Sequence, residues 1–252
     1  YSKDAIIAYK KAISLKPDNA EAYNNLGKAY NDQDEYDKTI EVYKKAISLK
    51  LDFADAYNNM GVTLHLQGKL DEAIWAYKKA ISIKPNDGDF YYNLGITLKD
   101  QGNLGASVDA YKKTILLKPE YADAYYKLGI ALYAQDKFDK ATQAYKKAIS
   151  LEPNNADTYN KIGGAYYKKG NIELSIVSFK KSILLNPNYA EAYNNMGVAL
   201  KDQGKLEEAL RAYKKSILLK PDDANSHNNI GVILQDLGKT DRAIDAYKKA
   251  IS

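Results

Sequence analysis

Glycine recurs at positions 27, 61, 95, 129, 163, 197 and 231, always 34 residues apart, and a fixed period of that length restricts the chain to a stacked array of helical repeats. The same step relates Pro17, Pro85, Pro119, Pro153, Pro187 and Pro221, with Leu51 interrupting the series, and relates Tyr9, Tyr43, Tyr77, Tyr111, Tyr145, Phe179, Tyr213 and Tyr247. With Ala20 taken as repeat position 1, residues 1–19 read as a second-helix half repeat, 20–223 as six complete repeats and 224–252 as a seventh, nearly complete one. One continuous array is expected, each repeat packing only on its neighbours. A chain that starts with Tyr1 and breaks off inside a repeat reads as a fragment of a longer protein.

Within one repeat the apolar spacing is helical twice. Tyr57, Met60, Gly61 and Leu64 fall at i, i+3, i+4 and i+7, and Leu70, Ala73, Ile74, Tyr77, Ala80 and Ile81 mark a second amphipathic run. Pro85 stops that run, because proline lacks the amide proton and clashes with the carbonyl one turn back. The pattern predicts fourteen antiparallel helices over 20–252, preceded by one lone helix, with turns near Asp34, Gly68, Gly102, Asp136, Gly170, Gly204 and Gly238. A mid-helix glycine costs about 1 kcal/mol relative to alanine, so its recurrence at position 8 requires a return in close packing. Small residues at position 20 (Ala73, Ala141, Ala209, Ala243, with Thr39, Ser107 and Ser175 as looser versions) are the expected counterpart.

Tyr23, Leu26, Gly27, Tyr30, Tyr43 and Ala46, and again Tyr193, Met196, Gly197, Leu200, Ala209, Tyr213 and Pro221, trace a motif that resembles the tetratricopeptide repeat. The resemblance covers the whole chain. It implies an all-α, right-handed α-solenoid superhelix of helix-turn-helix units, with first helices lining a concave groove and second helices on the convex side.

The net charge of +5 is unevenly placed. Lys-Lys pairs stand at one register of every second helix, from Lys10-Lys11 to Lys248-Lys249; these sixteen belong to 37 basic residues, so the other 21 face 32 acidic ones. Lying between buried positions, the pairs must point outward. They could sum into a phosphate-attracting stripe, but no aromatics interleave with them in the second helices and no nucleic-acid module is present. Solvated helix surface is therefore the adopted reading, and nucleic acid is not an expected partner. Charges and prolines interrupt every apolar run, so membrane insertion is not expected. No targeting signal is visible, which makes a cytoplasmic location the expectation.

Positions 2, 6, 9 and 13 of the first helix share the stripe opposite the buried one. Position 2 is acidic from Glu21 to Glu191, which favours a neutral to basic partner segment. Position 6 reads Asn25, Asn59, Asn93, Lys127, Lys161, Asn195 and Asn229. An asparagine amide both donates and accepts, matching the alternating groups of an extended peptide; the other reading is a solvated or helix-start asparagine. The superhelix of O-linked N-acetylglucosamine transferases is similar at this position. The carboxylate clamp of chaperone co-factors is not matched, since position 2 is acidic and position 9 mostly aliphatic. The middle repeats depart from the ladder with Tyr92 and Tyr126 at position 5, Lys127 and Lys161 at position 6, and Tyr133 and Tyr167 at position 12. Tyrosines are common interface anchors, so partners are expected to be anchored there and guided by the flanking asparagines.

No acid, base, nucleophile and ligand set converges at any register, so no enzyme activity and no metal or cofactor is expected. His227 replaces a tyrosine and reads as a part-buried aromatic; His65 faces solvent or the groove. The function expected is a protein-interaction scaffold that binds an extended polypeptide. The alternatives are the substrate-recruiting arm of an enzyme such as a glycosyltransferase, or self-association through uncapped ends.

Overall fold

The computed structural model describes residues 3–251; Tyr1, Ser2 and Ser252, where the half repeat begins and the seventh repeat ends, lie outside them. The described residues form fifteen helices and no strand. They divide into two compact units, the first ending at Glu120 and the second starting at Tyr121.

The first unit holds α1 (Lys3–Leu15), α2 (Ala20–Asn31), α3 (Tyr36–Leu49), α4 (Ala54–Leu66), α5 (Leu70–Ile83), α6 (Gly88–Asp100) and α7 (Leu104–Leu117). The second holds α8 (Ala122–Tyr133), α9 (Phe138–Leu151), α10 (Ala156–Lys168), α11 (Ile172–Leu185), α12 (Ala190–Asp202), α13 (Leu206–Leu219), α14 (Ala224–Asp236) and α15 (Thr240–Ile251). In each unit consecutive helices pack in order. The first helices of successive repeats also approach one another, α2 with α4 and α4 with α6, then α8, α10, α12 and α14 in turn. Among the described residues the second helices make no such approach, so the first helices form the tighter side of each unit.

The hairpin turns fall at the expected register. Position 15 is left-handed in all seven, glycine in five and aspartate in two (φ 56° at Asp34, 57° at Asp136); one such residue ends the helix and turns the chain back. Asparagine supplies several starts: the side chains of Asn19 and Asn155 accept the backbone N–H of Ala22 and Thr158 at 3.1 and 3.0 Å, satisfying donors that the first turn leaves open. Leu51 stands exposed where other repeats have proline, yet α3 still ends at Leu49. Phe53 fixes that exit by packing with Ala20, Ala46 and Ala56.

What the recurring glycine admits is an aromatic ring. A Cβ at Gly27 would stand 2.4 Å from Cε1 of Tyr43, and one at Gly163 would stand 2.7 Å from Cε1 of Phe179; the other five repeat the arrangement. The position-24 rings of Tyr43, Tyr77, Tyr111, Tyr145, Phe179 and Tyr213 are all buried. Position 20 joins the same contact, and Ser107 donates its hydroxyl to the Gly95 carbonyl at 2.7 Å. Each hairpin is thus locked by a ring laid on the bare backbone of its own first helix, and neighbouring hairpins share the apolar surface around it.

Candidate functional site

The position-6 asparagines do not stand alone. Asn59 donates its amide to Oδ1 of Asn24 at 3.0 Å, Asn93 to Asn58 at 3.0 Å, Asn195 to Asn160 at 3.0 Å and Asn229 to Asn194 at 3.2 Å. Each bond runs from position 6 of one repeat to position 5 of the repeat before it. The ladder is therefore first an internal seam, with one amide proton of each donor committed to the protein itself.

The tyrosines divide by what faces them. The Tyr167 hydroxyl donates to Asp202 at 2.5 Å, and His65 uses the same geometry toward Asp100, at 3.2 Å, while its Nδ1 lies 2.7 Å from Thr97 Oγ1. In both cases position 12 reaches an acid at position 13 of the next repeat. Tyr133 meets Lys168 at that register and makes no such bond; its ring instead packs edge-on against Phe138 at 5.2 Å. Tyr126 donates to Asp157, which also accepts from Tyr189. The Tyr126 ring lies 6.1 Å from that of Tyr145, and the Lys127 ammonium sits 5.5 Å above the Tyr126 ring. In the first unit Tyr92 packs 6.1 Å from Tyr111.

Three successive first helices of the second unit then assemble one open cleft of about 530 Å³. It is lined by Ile130 and Tyr133 from α8, Asn160, Lys161 and Gly164 from α10, and Glu191 and Asn195 from α12, with the buried Tyr145 ring behind them. Of the residues singled out from sequence, Tyr133, Lys161 and Asn195 meet here. Lys161 pairs with Glu191 at 3.1 Å. Asn160, 1% exposed, donates to Glu191 at 2.9 Å and to the Tyr189 hydroxyl at 3.2 Å while accepting from Asn195. Asn93 lines a smaller cleft of the first unit with Val62, His65, Leu66, Tyr77 and Ile96. Asn25, Asn59, Asn229, Tyr92, Tyr126, Lys127 and Tyr167 line neither cleft. Sequence reasoning took Glu191 only as one of the position-2 acids and passed over Gly164; the doublet Gly163-Gly164 inside one helix was the available signal.

The TPR repeat family model matches residues 3–34, 27–68, 63–102, 97–136, 131–170, 163–204 and 199–238. The chain belongs to the tetratricopeptide repeat (TPR) family. Similar solved structures include YrrB, a TPR protein with an unusual peptide-binding site, 24% identical over 73% of this chain and 95% of that one, with a TM-score of 0.65. MamA is 32% identical over 66% of this chain and 96% of its own, with a TM-score of 0.62. A TPR protein from Parabacteroides merdae is 20% identical over 92% of this chain and 91% of that one, with a TM-score of 0.73. No curated protein matches the chain significantly.

On the second helices of this TPR array the lysine pairs point outward, and several lie over rings contributed by first helices: Lys146 is 5.9 Å from the Tyr166 centroid and Lys147 5.9 Å from that of Tyr125. Trp75 is 50% exposed, edge-on to Tyr57 at 5.9 Å. His227 is buried, its Nε2 2.9 Å from the Pro221 carbonyl, which is the role expected of a tyrosine substitute. Among the described residues no group of acids and histidines is placed to hold a metal, and no helix is long and apolar enough to cross a membrane.

The tyrosine–carboxylate bonds are expected to make the stability of this TPR array fall at high pH. The hydrogen bond to Asp202, together with burial, pushes the Tyr167 hydroxyl from 10.0 up to about 12; burial and the Asp157 carboxylate push Tyr126 and Tyr189 up as well. The native state holds these phenolic protons more tightly than the unfolded chain does, so their contribution is complete below about pH 10 and is lost as the pH climbs toward 12. Urea midpoints measured between pH 8 and 11.5 should therefore fall, and Tyr167→Phe should make the fall shallower. Identical slopes for variant and parent would exclude this linkage.

Proposed function

We propose that the protein is a non-catalytic interaction scaffold that binds an extended polypeptide along the first-helix face, and that in the second unit the peptide crosses the cleft between Tyr133 and Asn195. The observation that carries this reading is the convergence of Tyr133, Lys161 and Asn195, from three consecutive repeats, on one open cleft whose volume lies within the range of about 300–1,000 Å³ usual for ligand sites. An extended chain advances about 3.3 Å per residue, while packed helices stand about 8–10 Å apart, so a peptide laid across the first helices presents about one residue in three to each repeat. Position 2 adds the charge preference. Asp89, Asp157 and Glu191 are engaged by Lys118, by two tyrosines and by Lys161, which leaves Glu21 and Asp55 to favour a neutral to basic segment.

YrrB shares the fold and is described as having a peptide-binding site, which supports the same class of ligand for this chain. The test is selection from a random 15-residue peptide library on the immobilised protein, followed by hydrogen exchange with the selected peptide bound. Protection concentrated on α8, α10 and α12 is the expected result. Protection on the second helices, or a library that yields no binder, would overturn the reading.

A further inference from the structure

The two clefts occupy equivalent registers and differ threefold in size. In the first unit, positions 9, 12 and 24 of one repeat and 6 and 9 of the next are Val62, His65, Tyr77, Asn93 and Ile96, enclosing about 180 Å³. In the second they are Ile130, Tyr133, Tyr145, Lys161 and Gly164, and the cleft, which here runs on to Glu191 and Asn195 of the following repeat, encloses about 530 Å³. The exchange that removes most wall is Ile96 for Gly164.

Gly164 has no internal use. A Cβ there would meet nothing closer than the Tyr133 hydroxyl at 4.0 Å, whereas its neighbour Gly163 carries the Phe179 ring. The helical penalty of about 1 kcal/mol is thus uncompensated within the fold, and what the glycine creates is a patch of bare α10 backbone facing the cleft. Most of the amide and carboxylate groups around it are already bonded to each other, the Tyr133 hydroxyl being the polar atom nearest to Gly164. The Asn160 amide is committed to Tyr189 and Glu191, its oxygen to Asn195, and Lys161 to Glu191. A polar side chain entering the recess would find the Asn160 amide and the Lys161–Glu191 pair already bonded and would lose water for few new hydrogen bonds. An aromatic one would find Ile130, the buried Tyr145 ring, and the Tyr133 ring fixed by Phe138, at the offset and edge-on geometries that rings prefer. The fold itself seats a ring on a first-helix glycine in every hairpin; Gly164 offers the same seat to a ring from outside.

We propose that the recess at Gly164 receives one aromatic side chain of the bound polypeptide, so that the second unit selects extended segments carrying a phenylalanine, tyrosine or tryptophan at that point. This rests on the first-helix face being the peptide site. The probe is the set of peptides selected from the random library on the parent protein, each paired with a version in which its aromatic residue is alanine. Selected peptides are expected to share an aromatic position. Gly164→Ile, which restores the residue of the first unit, should weaken them about tenfold while binding the alanine versions as the parent does. Gly164→Ala, which fits the space available, provides the same cycle with a smaller loss should the isoleucine variant melt below the parent. Selected peptides that lack a shared aromatic, or that bind the Gly164 variants unchanged yet lose affinity on Tyr133→Ala or Lys161→Ala, would overturn the recess and leave the groove standing. Peptides indifferent to all four substitutions would remove both.

Discussion

Truncating Phe179 to alanine is expected to destabilise the protein by about 3–5 kcal/mol, the range for removing a buried aromatic. Phe179 is 2% exposed and joins Ile176, Ala199, Leu200, Ala209 and Tyr213 in one apolar cluster, so its loss opens a cavity that touches two hairpins at once. The ring lies on a glycine and has backbone on one side, which limits how far the surroundings can collapse. Urea unfolding should show the loss, and hydrogen exchange should place the first opening at α10 to α12, since coupling in such arrays runs between neighbours. A loss below about 1 kcal/mol would show that the ring does not hold the hairpin together.

Two adjacent glycines should respond to the same substitution with opposite signs. Gly163→Ala places a methyl group 2.7 Å from Cε1 of Phe179; overpacking of this kind costs about 1–3 kcal/mol and outweighs the helical gain of about 1 kcal/mol from replacing glycine. Gly164→Ala meets only the Tyr133 hydroxyl, at an ordinary contact distance of 4.0 Å, and should retain that gain. Paired urea titrations of the two variants decide it, and destabilisation by both would mean that the α10 backbone at Gly164 is not free to carry a side chain.

How legible the molecule was in its sequence depended on the distance over which an interaction acts. The helices, their turns at position 15 and the buried ring at position 24 are properties of one repeat, and a 34-residue ruler exposes them. Even there the glycine was first matched to position 20, because sequence spacing does not reveal that the ring of position 24 lies across it. The binding face was harder. Whether Asn59 faces a ligand or Asn24 depends on the offset between successive first helices, and the fate of Tyr133 and Tyr167 was decided by Lys168 and Asp202 in the repeats that follow. Gly164 looked like one more value in a mostly aliphatic column; its meaning came from the equivalent cleft in the other unit, where Ile96 fills the same place.

The asparagine seam has a consequence for how such a chain is edited over generations. Each bond leaves position 6 and arrives at position 5 of the preceding repeat, so a repeat with asparagine at both places presents a finished socket at one boundary and a finished plug at the other. The sixth repeat, with Asn194 and Asn195, could be copied in tandem and every new junction would close with the same amide pair. The third and fourth repeats carry Tyr92 and Tyr126 in the socket position, and a duplicate placed after either would find no amide oxygen to meet. Gain and loss of repeats should thus be tolerated at the flanks and resisted in the middle, making the tyrosine-bearing repeats the fixed point around which the length of the array can vary.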